Sequence, residues 1–380
     1  MIYLDHAATT PVPREVADAM YEVLTEHYGN PSSQYSAGIE MKKQVERWRK
    51  TVADALGCEA KQLYFTSCGT EGDNWAIQAA LWQNRHIGRH IVTTAVEHSA
   101  VLETCKWWEK QGYEVTLIAP DSRGNITAEQ VLEAVRPDTA LVSVMMVNNE
   151  LGTVYPVADI ARGLAAKNPK TLLHTDAVQA FYKVPFSAKT LGADFIAVSA
   201  HKIGGPKGVG ALYIGPRVRN PKPLLSGGGQ EGGIRAGTEA TAQIAGFAKA
   251  VELWMERPEP LQETHRRMAE LKAYAVEQLT AIPDLKIISN GAAPHILSVS
   301  LVGWPSANIV TDLSSQGICI SAGSACHQGK LSHVVKALNL PKREAQSVIR
   351  LSFGPGTTKE DIDACVAAIR NHHDSRMPML

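Results

Sequence analysis

Short apolar runs alternate with segments of helical periodicity between Val16 and Trp254, and this alternation limits the possible folds more than any other feature. The apolar runs are Gln62–Thr66, His90–Thr94, Glu114–Ile118, Ala140–Val144, Leu172–Thr175, Phe195–Ser199 and Gly210–Ile214. The helical segments are Val16–Glu26, Ile39–Leu56, Gly69–Trp82, Ser99–Lys110, Thr127–Val135 and Val157–Ala165. Strands that alternate with helices predict a mostly parallel sheet with helices on both faces. We therefore predict an α/β fold with a mostly parallel, seven-stranded sheet that binds ligands at the carboxyl ends of its strands.

At 380 residues, the chain is too long for one ordinary hydrophobic core. Pro258 and Pro260 mark a boundary after the alternating region. Beyond them the pattern predicts a smaller α+β unit, made of a helix over Leu261–Leu279, strands near Leu285–Ile288, Ile296–Val302 and Val348–Phe353, and a last helix from Lys359. We predict a large domain over residues 15–257 and a small domain built from residues 1–14 and 258–380.

Charge and composition argue against several classes of function. Lysine plus arginine and aspartate plus glutamate number 38 each, so the chain lacks the basic excess of a general nucleic-acid or anionic-membrane binder. No apolar stretch is long enough to span a bilayer, and the amino-terminal sequence lacks the pattern of a signal peptide. The six cysteines form no C-x-x-C pair, as is typical of reduced thiols. These features predict a cytoplasmic enzyme with no direct nucleic-acid or membrane partner.

Lys202 stands where one of the apolar runs ends, between Ser199 and a glycine-rich turn. A lysine is rarely buried without a function. At the end of a buried strand, beside His201, it is suited to form a Schiff base with an aldehyde cofactor. The alternative is a solvated lysine in a glycine-rich turn.

Asp176 ends the preceding apolar run, and Gln179 follows it closely. A carboxylate at this edge of the sheet can pair with the pyridinium nitrogen of pyridoxal phosphate and keep the ring an electron sink. Gln179 can bond the ring oxygen. The alternative for Asp176 is a helix N-cap.

Two further motifs belong to the same sheet edge. Thr66–Asn74, reading T-S-C-G-T-E-G-D-N, predicts a strand, a turn of small residues and a helix start, which together can bind a phosphate. Neither a nucleotide-binding P-loop nor a dinucleotide fingerprint is present. His98 follows the run His90–Thr94, where an imidazole can stack on a cofactor ring and move protons.

Together these segments resemble the class V aminotransferase family of fold type I pyridoxal phosphate enzymes. The resemblance extends from Tyr3–Thr10 to the region of Arg350. It implies pyridoxal 5'-phosphate as the cofactor, with Lys202 as its covalent lysine and Asp176 and Gln179 as its ring partners. The other cofactor residues that it implies are Gly69, Thr70, Ser199 and His201 at the phosphate, His98 stacked on the ring, and Asn149 near the cofactor and the substrate.

Ile318–Lys330 carries a candidate nucleophile, Cys326, among small residues. Small neighbours predict an accessible thiol, whereas most free cysteines are buried and inert. Its S-x-G-S-A-C pattern resembles cysteine desulfurases of the nitrogen-fixation and iron–sulfur-cluster type. The resemblance implies that L-cysteine becomes L-alanine while Cys326 receives the sulfur as a persulfide, with Lys202 and His98 as the other catalytic groups. It also implies a sulfur-acceptor protein, such as an iron–sulfur scaffold. His327 and Gln328 depart from the family pattern.

Two more residues receive roles from this resemblance. Arg350, between apolar residues, needs an anionic partner; the resemblance makes it the clamp for the substrate carboxylate, and an internal salt bridge is the alternative. Thr238 ends the glycine-rich segment Ser226–Glu239. In the family the matching threonine reaches the phosphate in the neighbouring subunit, which implies a homodimer.

Other functions remain open on the sequence. Within the same chemistry, the alternative is a selenocysteine lyase or a related β-eliminating enzyme. From another class, the alternative is a non-catalytic protein that binds pyridoxal phosphate and serves as a scaffold. A metal site at His86 and His90, or at His372 and His373, has weaker support, and we predict no metal.

Overall fold

The computed structural model describes residues 1–322, 331–375 and 377–379. The strands in this part of the chain are β1 (Ile2–Tyr3), β2 (Leu63–Thr66), β3 (His90–Thr94), β4 (Glu114–Ile118), β5 (Thr139–Ser143), β6 (Leu172–Asp176), β7 (Phe195–Ser199), β8 (Gly210–Ile214), β9 (Leu285–Ser289), β10 (Ile296–Leu301), β11 (Ile318–Cys319) and β12 (Val348–Ser352). The α-helices are α1 (Arg14–Thr25), α2 (Ser36–Leu56), α3 (Gly69–Gln83), α4 (Ser99–Glu109), α5 (Ala128–Ala134), α6 (Val157–Lys167), α7 (Ala188–Leu191), α8 (Thr241–Met255), α9 (Leu261–Thr280), α10 (Ser306–Ser315), α11 (His333–Ala337), α12 (Lys342–Ala345) and α13 (Lys359–Ser375).

The large sheet has seven strands in the order β2-β8-β7-β6-β5-β3-β4. Strands β7, β6, β5, β3 and β4 run parallel to one another, and β8 is antiparallel to both β7 and β2. The α/β fold with a seven-stranded, mostly parallel sheet is therefore confirmed. The central strands are buried along both faces because helices cover both sides of the sheet.

The reversal of β8 follows from a short connection. Only residues 200–209 separate β7 from β8, whereas a parallel neighbour needs a crossover of a dozen residues or more. Gly210 also permits close approach, because a Cβ there would lie 2.6 Å from the Val198 carbonyl oxygen.

Helices pack on both faces of this sheet. On one face, Trp75 and Leu81 of α3 are fully buried against Phe195 and Leu212. On the other, the strand residues belong to a larger core that includes Phe247 of α8. The buried faces bring the N-terminus of α3 to the edge of the sheet at which β6 and β7 end.

A second sheet, of order β12-β10-β9, is antiparallel and has its own core. Leu4 lies in this core with Leu297, Leu351, Phe353 and Ile362. The amino-terminal segment then continues from this core to the edge of the large sheet. Within the described residues, no helix combines the length and the apolar character needed to cross a membrane.

Candidate active site

A cavity of about 260 Å³ lies at the carboxyl ends of the parallel strands. Its lining combines segments that follow β2, β3, β5, β6 and β7 with the amino-terminal segment and β12. The side chains and backbone that line it belong to Ala7, Ala8, Cys68, Gly69, Thr70, Asp73, His98, Met145, Asn149, Asp176, Val178, Gln179, Ser199, His201, Lys202 and Arg350. Distant parts of the sequence therefore meet at one edge of the sheet.

Lys202 reaches this cavity from a 3₁₀ turn, Ala200–Lys202, directly after β7. Its Nζ donates to the carbonyl oxygens of Ala7 and Ala8 at 2.7 and 2.8 Å. Burial, followed by the charge of Arg350, lowers the pKa of this amine to about 8. An amine with this pKa is partly neutral near physiological pH, and the neutral form is the one that attacks a carbonyl.

Asp176 and Asp73 form a pair of buried carboxyl groups. One carboxyl oxygen of each aspartate and one ring nitrogen of His98 lie within 4.8 Å of one another. Burial raises the pKa of both carboxyl groups, and the nearby Asp176 charge raises that of Asp73 further, well above its usual range. Asp176 Oδ1 accepts from the Val178 N–H at 2.9 Å, while His98 and Lys202 favour its ionised form. The negative charge of the pair is therefore held on Asp176.

The N-terminus of α3 provides a corner for an anion. Gly69 lies so close to the turn after β6 that a Cβ would approach Val178 Cγ2 to 2.7 Å. Ser199 is 2% exposed, and its Oγ is buried with no hydrogen-bond partner among the described residues. Thr70 and His201 complete the corner. Backbone N–H groups at a helix start and an unsatisfied hydroxyl are suited to a phosphate.

His98 is held in one orientation at the start of α4. Its Nδ1 accepts from the Ala100 N–H at 3.2 Å, so the ring proton is on Nε2 in the neutral form. The preceding residue, Glu97, is fully buried and accepts hydrogen bonds from Thr94 and from the Met145 N–H. These bonds tie the segment that carries His98 to the end of β5.

Arg350 lies on β12 and is 3% exposed. Its Nη2 forms an ion pair with Asp5 Oδ1 at 2.7 Å, and its Nη1 donates to the Asn149 carbonyl oxygen at 2.7 Å. Its Nε is buried and has no hydrogen-bond partner in the described part of the chain. The internal salt bridge considered from the sequence is thus present, and the Nε–H of the guanidinium remains available.

Comparison with known proteins identifies the family to which this geometry belongs. The family description "Aminotransferase class-V" matches residues 2–365. The chain belongs to the class V aminotransferase family. It is 41% identical to "Cysteine desulfurase IscS" of Methanosarcina thermophila, over 97% of this chain and 91% of that protein. It is 44% identical to "Cysteine desulfurase 2" of Trichormus variabilis, over 96% and 90% of the two chains.

Two solved structures are similar to this chain over nearly its whole length. A structure titled "NifS-like protein" is 37% identical, with a TM-score of 0.92 over 99% of this chain and 100% of the other. A structure titled "SspA in complex with cysteine" is 32% identical, with a TM-score of 0.82 over 94% and 100% of the two chains. The family depends on pyridoxal phosphate, and the buried carboxylate, lysine and anion corner of this cavity fit that cofactor.

Most site residues predicted from the sequence lie together in the cavity, with two exceptions. Thr238 is exposed and does not line the cavity. Cys326 lies outside the described residues. Three of the histidines considered as metal ligands have other partners: both ring nitrogens of His90 contact threonine hydroxyls, Nδ1 of His372 contacts Asp312 at 2.7 Å, and Nδ1 of His373 contacts Asp374 at 2.7 Å.

Several residues of the site were missed by sequence reasoning. Asp73 lies inside the quoted phosphate-binding motif, and its position one helical turn after Gly69 could have placed it on the cavity side of α3. Cys68 also lines the cavity and is not among the site residues predicted from the sequence. No sequence pattern indicates the contacts of the Ala7 and Ala8 carbonyl groups with Lys202, because backbone atoms make them.

Proposed function

We propose that this class V aminotransferase is a pyridoxal phosphate-dependent cysteine desulfurase, which converts L-cysteine to L-alanine and transfers the sulfur to Cys326 as a persulfide. The observation that carries the proposal is the convergence of Lys202, Asp176 and His98 with Arg350 in one cavity. Relatives 41% and 44% identical over nearly the whole chain bear the name cysteine desulfurase, which supports this activity within the family.

Lys202 would hold the cofactor covalently, and Asp176 would pair with its ring nitrogen. Ser199, Thr70 and the N-terminus of α3 would hold its phosphate. When bound, pyridoxal phosphate supplies an electron sink that makes the α-proton of an amino acid acidic and weakens the bond from its Cβ to sulfur. A neutral Asp73 supports this role of Asp176, because a second negative charge nearby would raise the pKa of Asp176 and reduce its ionisation.

The substrate carboxylate would bind at the free edge of Arg350. Nε is the available donor, and Asn149 fixes the guanidinium through its carbonyl oxygen. Asp5 occupies the other side and limits how the guanidinium can turn. A planar guanidinium that is held on two sides would orient the α-carbon of a bound amino acid toward Lys202.

Lys202, released when the amine of the substrate replaces it on the cofactor, would take the α-proton, because its lowered pKa of about 8 leaves a useful fraction of neutral amine at physiological pH. His98 would exchange a proton through Nε2, the nitrogen left free by the hydrogen bond from Ala100. The Cys326 thiolate would then attack the substrate sulfur, so that a sulfur–sulfur bond forms as the carbon–sulfur bond breaks.

Persulfide formation on Cys326 tests the proposal directly. The Cys326→Ala variant is expected to retain the yellow cofactor chromophore but to form no persulfide and release little alanine from L-cysteine. Cys68→Ala, which removes another thiol from the cavity, is the matched control and is expected to keep both. Alanine release from L-cysteine by Cys326→Ala at the wild-type rate would refute the proposal. Alanine release from L-selenocysteine should fall in Cys326→Ala as much as alanine release from L-cysteine does. Release from selenocysteine that persists in this variant would indicate a selenocysteine lyase instead.

A homodimer is part of the proposal. Thr238 is exposed, and its loop is tied down by two ion pairs, Arg235 with Glu71 and Arg49 with Glu231. An anchored, outward-facing threonine supports a contact with the phosphate of a second copy. Light scattering should give twice the mass of one chain, and Thr238→Ala should weaken cofactor binding without unfolding the protein.

We also propose the division into a large domain over residues 15–257 and a small domain over residues 1–14 and 258–380. The separate core around Leu4 and Leu351 supports it.

The sulfur would pass to an acceptor protein, such as an iron–sulfur scaffold, in the cytoplasm. Free thiols at the five described cysteines support a reducing setting. Mass spectrometry of acceptors after transfer of labelled sulfur tests this part.

A further inference from the structure

A second cavity, of about 140 Å³, lies beside the proposed cofactor cavity. The amino-terminal segment separates the two: Ala7 and Ala8 line the first, and the adjacent His6 lines the second. Most of the remaining lining is apolar, from Ile203 and Leu253 among others. At roughly 30 Å³ for each water in the liquid, this space holds about five non-hydrogen atoms.

Lys183 lines this cavity with its charge unpaired. The side chain is 2% exposed, and its Nζ has no hydrogen-bond partner in the described chain. The preceding residue, Tyr182, has a positive φ of 58°, which is rare for a bulky residue. Stacking of Tyr182 on Trp254, at 5.3 Å between ring centres, helps to maintain this backbone. The strained turn therefore directs the lysine inward.

Arg257 adds a second cationic group to the same cavity. Its Cζ lies 4.0 Å from the centre of the Trp254 ring, and Lys183 Nζ lies 5.1 Å from it. Nε of Arg257 is buried without a hydrogen-bond partner in the described residues. Neither cation forms an ion pair with a described carboxylate; Glu259, whose charge acts on Arg257 from a longer distance, is paired with Arg267 at 3.0 Å. His6 Nδ1 is also buried and unpaired there.

This arrangement is costly without an occupant. A buried ionic group without a partner is destabilising, and proteins normally satisfy such groups. Burial, followed by the charges of Arg257 and Lys202, lowers the pKa of Lys183 to about 7. An anion between the two cations would remove the desolvation cost and favour the protonated amine.

We propose that this second cavity binds a small carboxylate, with the anionic end between Lys183 and Arg257 and a short apolar body against Ile203 and Leu253. The size fits an acid such as propionate, which has five non-hydrogen atoms. The apolar wall favours a carboxylate with a carbon body over inorganic phosphate, which needs polar contacts on all sides. The site is independent of the proposed sulfur transfer.

The test uses the cofactor-loaded enzyme and difluoroacetate as the probe, followed by the broadening of its fluorine resonance on binding. Arg257→Gln is expected to weaken binding at this site at least tenfold. Arg266→Gln is the matched control, because it removes the same charge from an exposed side chain of α9 that lies outside the cavity lining. It is expected to change the affinity less than twofold. Binding that persists in Arg257→Gln is assigned to Arg350 if Arg350→Gln removes it.

Two further measurements complete the test. Lys183→Met should weaken binding of the probe as strongly as Arg257→Gln does. If the Lys183→Met protein does not fold, the Arg257→Gln result decides the test. Displacement of the probe by propionate or L-alanine at lower concentration than by inorganic phosphate supports the carboxylate assignment, and the relative potency of the two separates a simple acid from an amino acid. Equal affinity of wild type and Arg257→Gln, or stronger displacement by phosphate, would overturn the proposal.

Discussion

Arg350 Nη2 and Asp5 Oδ1 lie 2.7 Å apart and join β12 to the amino-terminal segment across 345 residues of sequence. The arginine side chain is 4% exposed and that of Asp5 is 18% exposed, so this ion pair is largely shielded from water. An internal carboxylate thus already contacts the guanidinium that we propose as the substrate clamp. The two carboxylates would share one cation and repel each other.

Asp5→Asn is expected to lower the KM for L-cysteine severalfold. The amide can still accept from Arg350, but it removes the charge that repels the substrate carboxylate. Steady-state kinetics with the enzyme saturated with cofactor would measure the change in KM. Asp18→Asn, at the exposed Arg14–Asp18 pair of equal length, is the control and should leave the KM unchanged. A higher KM in Asp5→Asn would show instead that the charge of Asp5 is needed to orient the clamp.

Glu97→Gln is expected to reduce the pH dependence of stability. Burial raises the pKa of Glu97 from its usual 4.5 to about 8. Between these values the native state keeps a proton that the unfolded state releases, so the wild type loses stability as the pH rises through this window. The free-energy difference between wild type and variant should change by about 1.4 kcal/mol per pH unit. It should shift in favour of the variant as the pH rises.

Urea unfolding at pH 5.5 and 7.5, with cofactor concentration fixed, measures this effect. Between these two pH values, the difference in unfolding free energy between wild type and Glu97→Gln is predicted to change by about 2–3 kcal/mol. Glu103→Gln, on the exposed side of α4, is the control. A difference between wild type and Glu97→Gln that is the same at both pH values would contradict a proton on Glu97.

Ser199→Ala is expected to weaken cofactor binding without destabilising the apoprotein. Its buried Oγ has no partner in the described residues, so removing it costs no internal hydrogen bond. A hydrogen bond to a charged group is worth about 1.5–3 kcal/mol, which corresponds to roughly a 10- to 100-fold loss of pyridoxal phosphate affinity. Absorbance titration of the apoprotein would measure it.

Ser143→Ala supplies the opposite pattern as a control. Ser143 Oγ bonds His174 Nδ1 at 2.8 Å inside the sheet, and burial keeps that histidine neutral by lowering its pKa to about 3. The variant should lower the free energy of unfolding and leave cofactor affinity nearly unchanged. If Ser199→Ala behaves like Ser143→Ala, its hydroxyl has a structural role and not a phosphate-binding one.

Much of the fold follows from local patterns, because buried parallel strands are short continuous apolar runs. All seven predicted strands of the large sheet agree with β2–β8 to within one residue at each end. The order of the strands and the reversal of β8 depend on long-range packing, which periodicity does not report. The short helix α7 and the two-residue strands β1 and β11 were also missed, since so few residues show no period.

The site was predictable where a side chain carries the chemistry. Lys202, Asp176 and His98 each follow an apolar run, and strand ends meet at one edge of a parallel sheet. Contacts made by backbone groups, such as the Ala7 carbonyl oxygen that binds both Lys202 and Gln179, have no such signal. The unpaired Lys183 was missed for a related reason: a single lysine in a sequence does not show whether a carboxylate lies nearby.

Glu231→Gln is expected to lower the free energy of unfolding by about 3 kcal/mol, because it breaks a buried ion pair and leaves Arg49 with only the exposed Glu46 as an ion-pair partner in the described chain. Glu231 accepts from Arg49 at 2.7 and 2.8 Å and from the Phe65 N–H at 2.9 Å. Its own φ is positive at 48°, so these bonds also hold a strained turn. Glu46→Gln removes the exposed partner of Arg49 and should cost under about 1 kcal/mol.

The same variant tests whether this turn presents Thr238 to a second copy. If it does, Glu231→Gln should raise the dimer dissociation constant measured by sedimentation, whereas Glu46→Gln should not. The comparison is made at a temperature where both variants remain folded by circular dichroism. A folded Glu231→Gln protein that dimerises like the wild type would show that the ion pair stabilises the chain alone, and the contact proposed for Thr238 would then need another anchor.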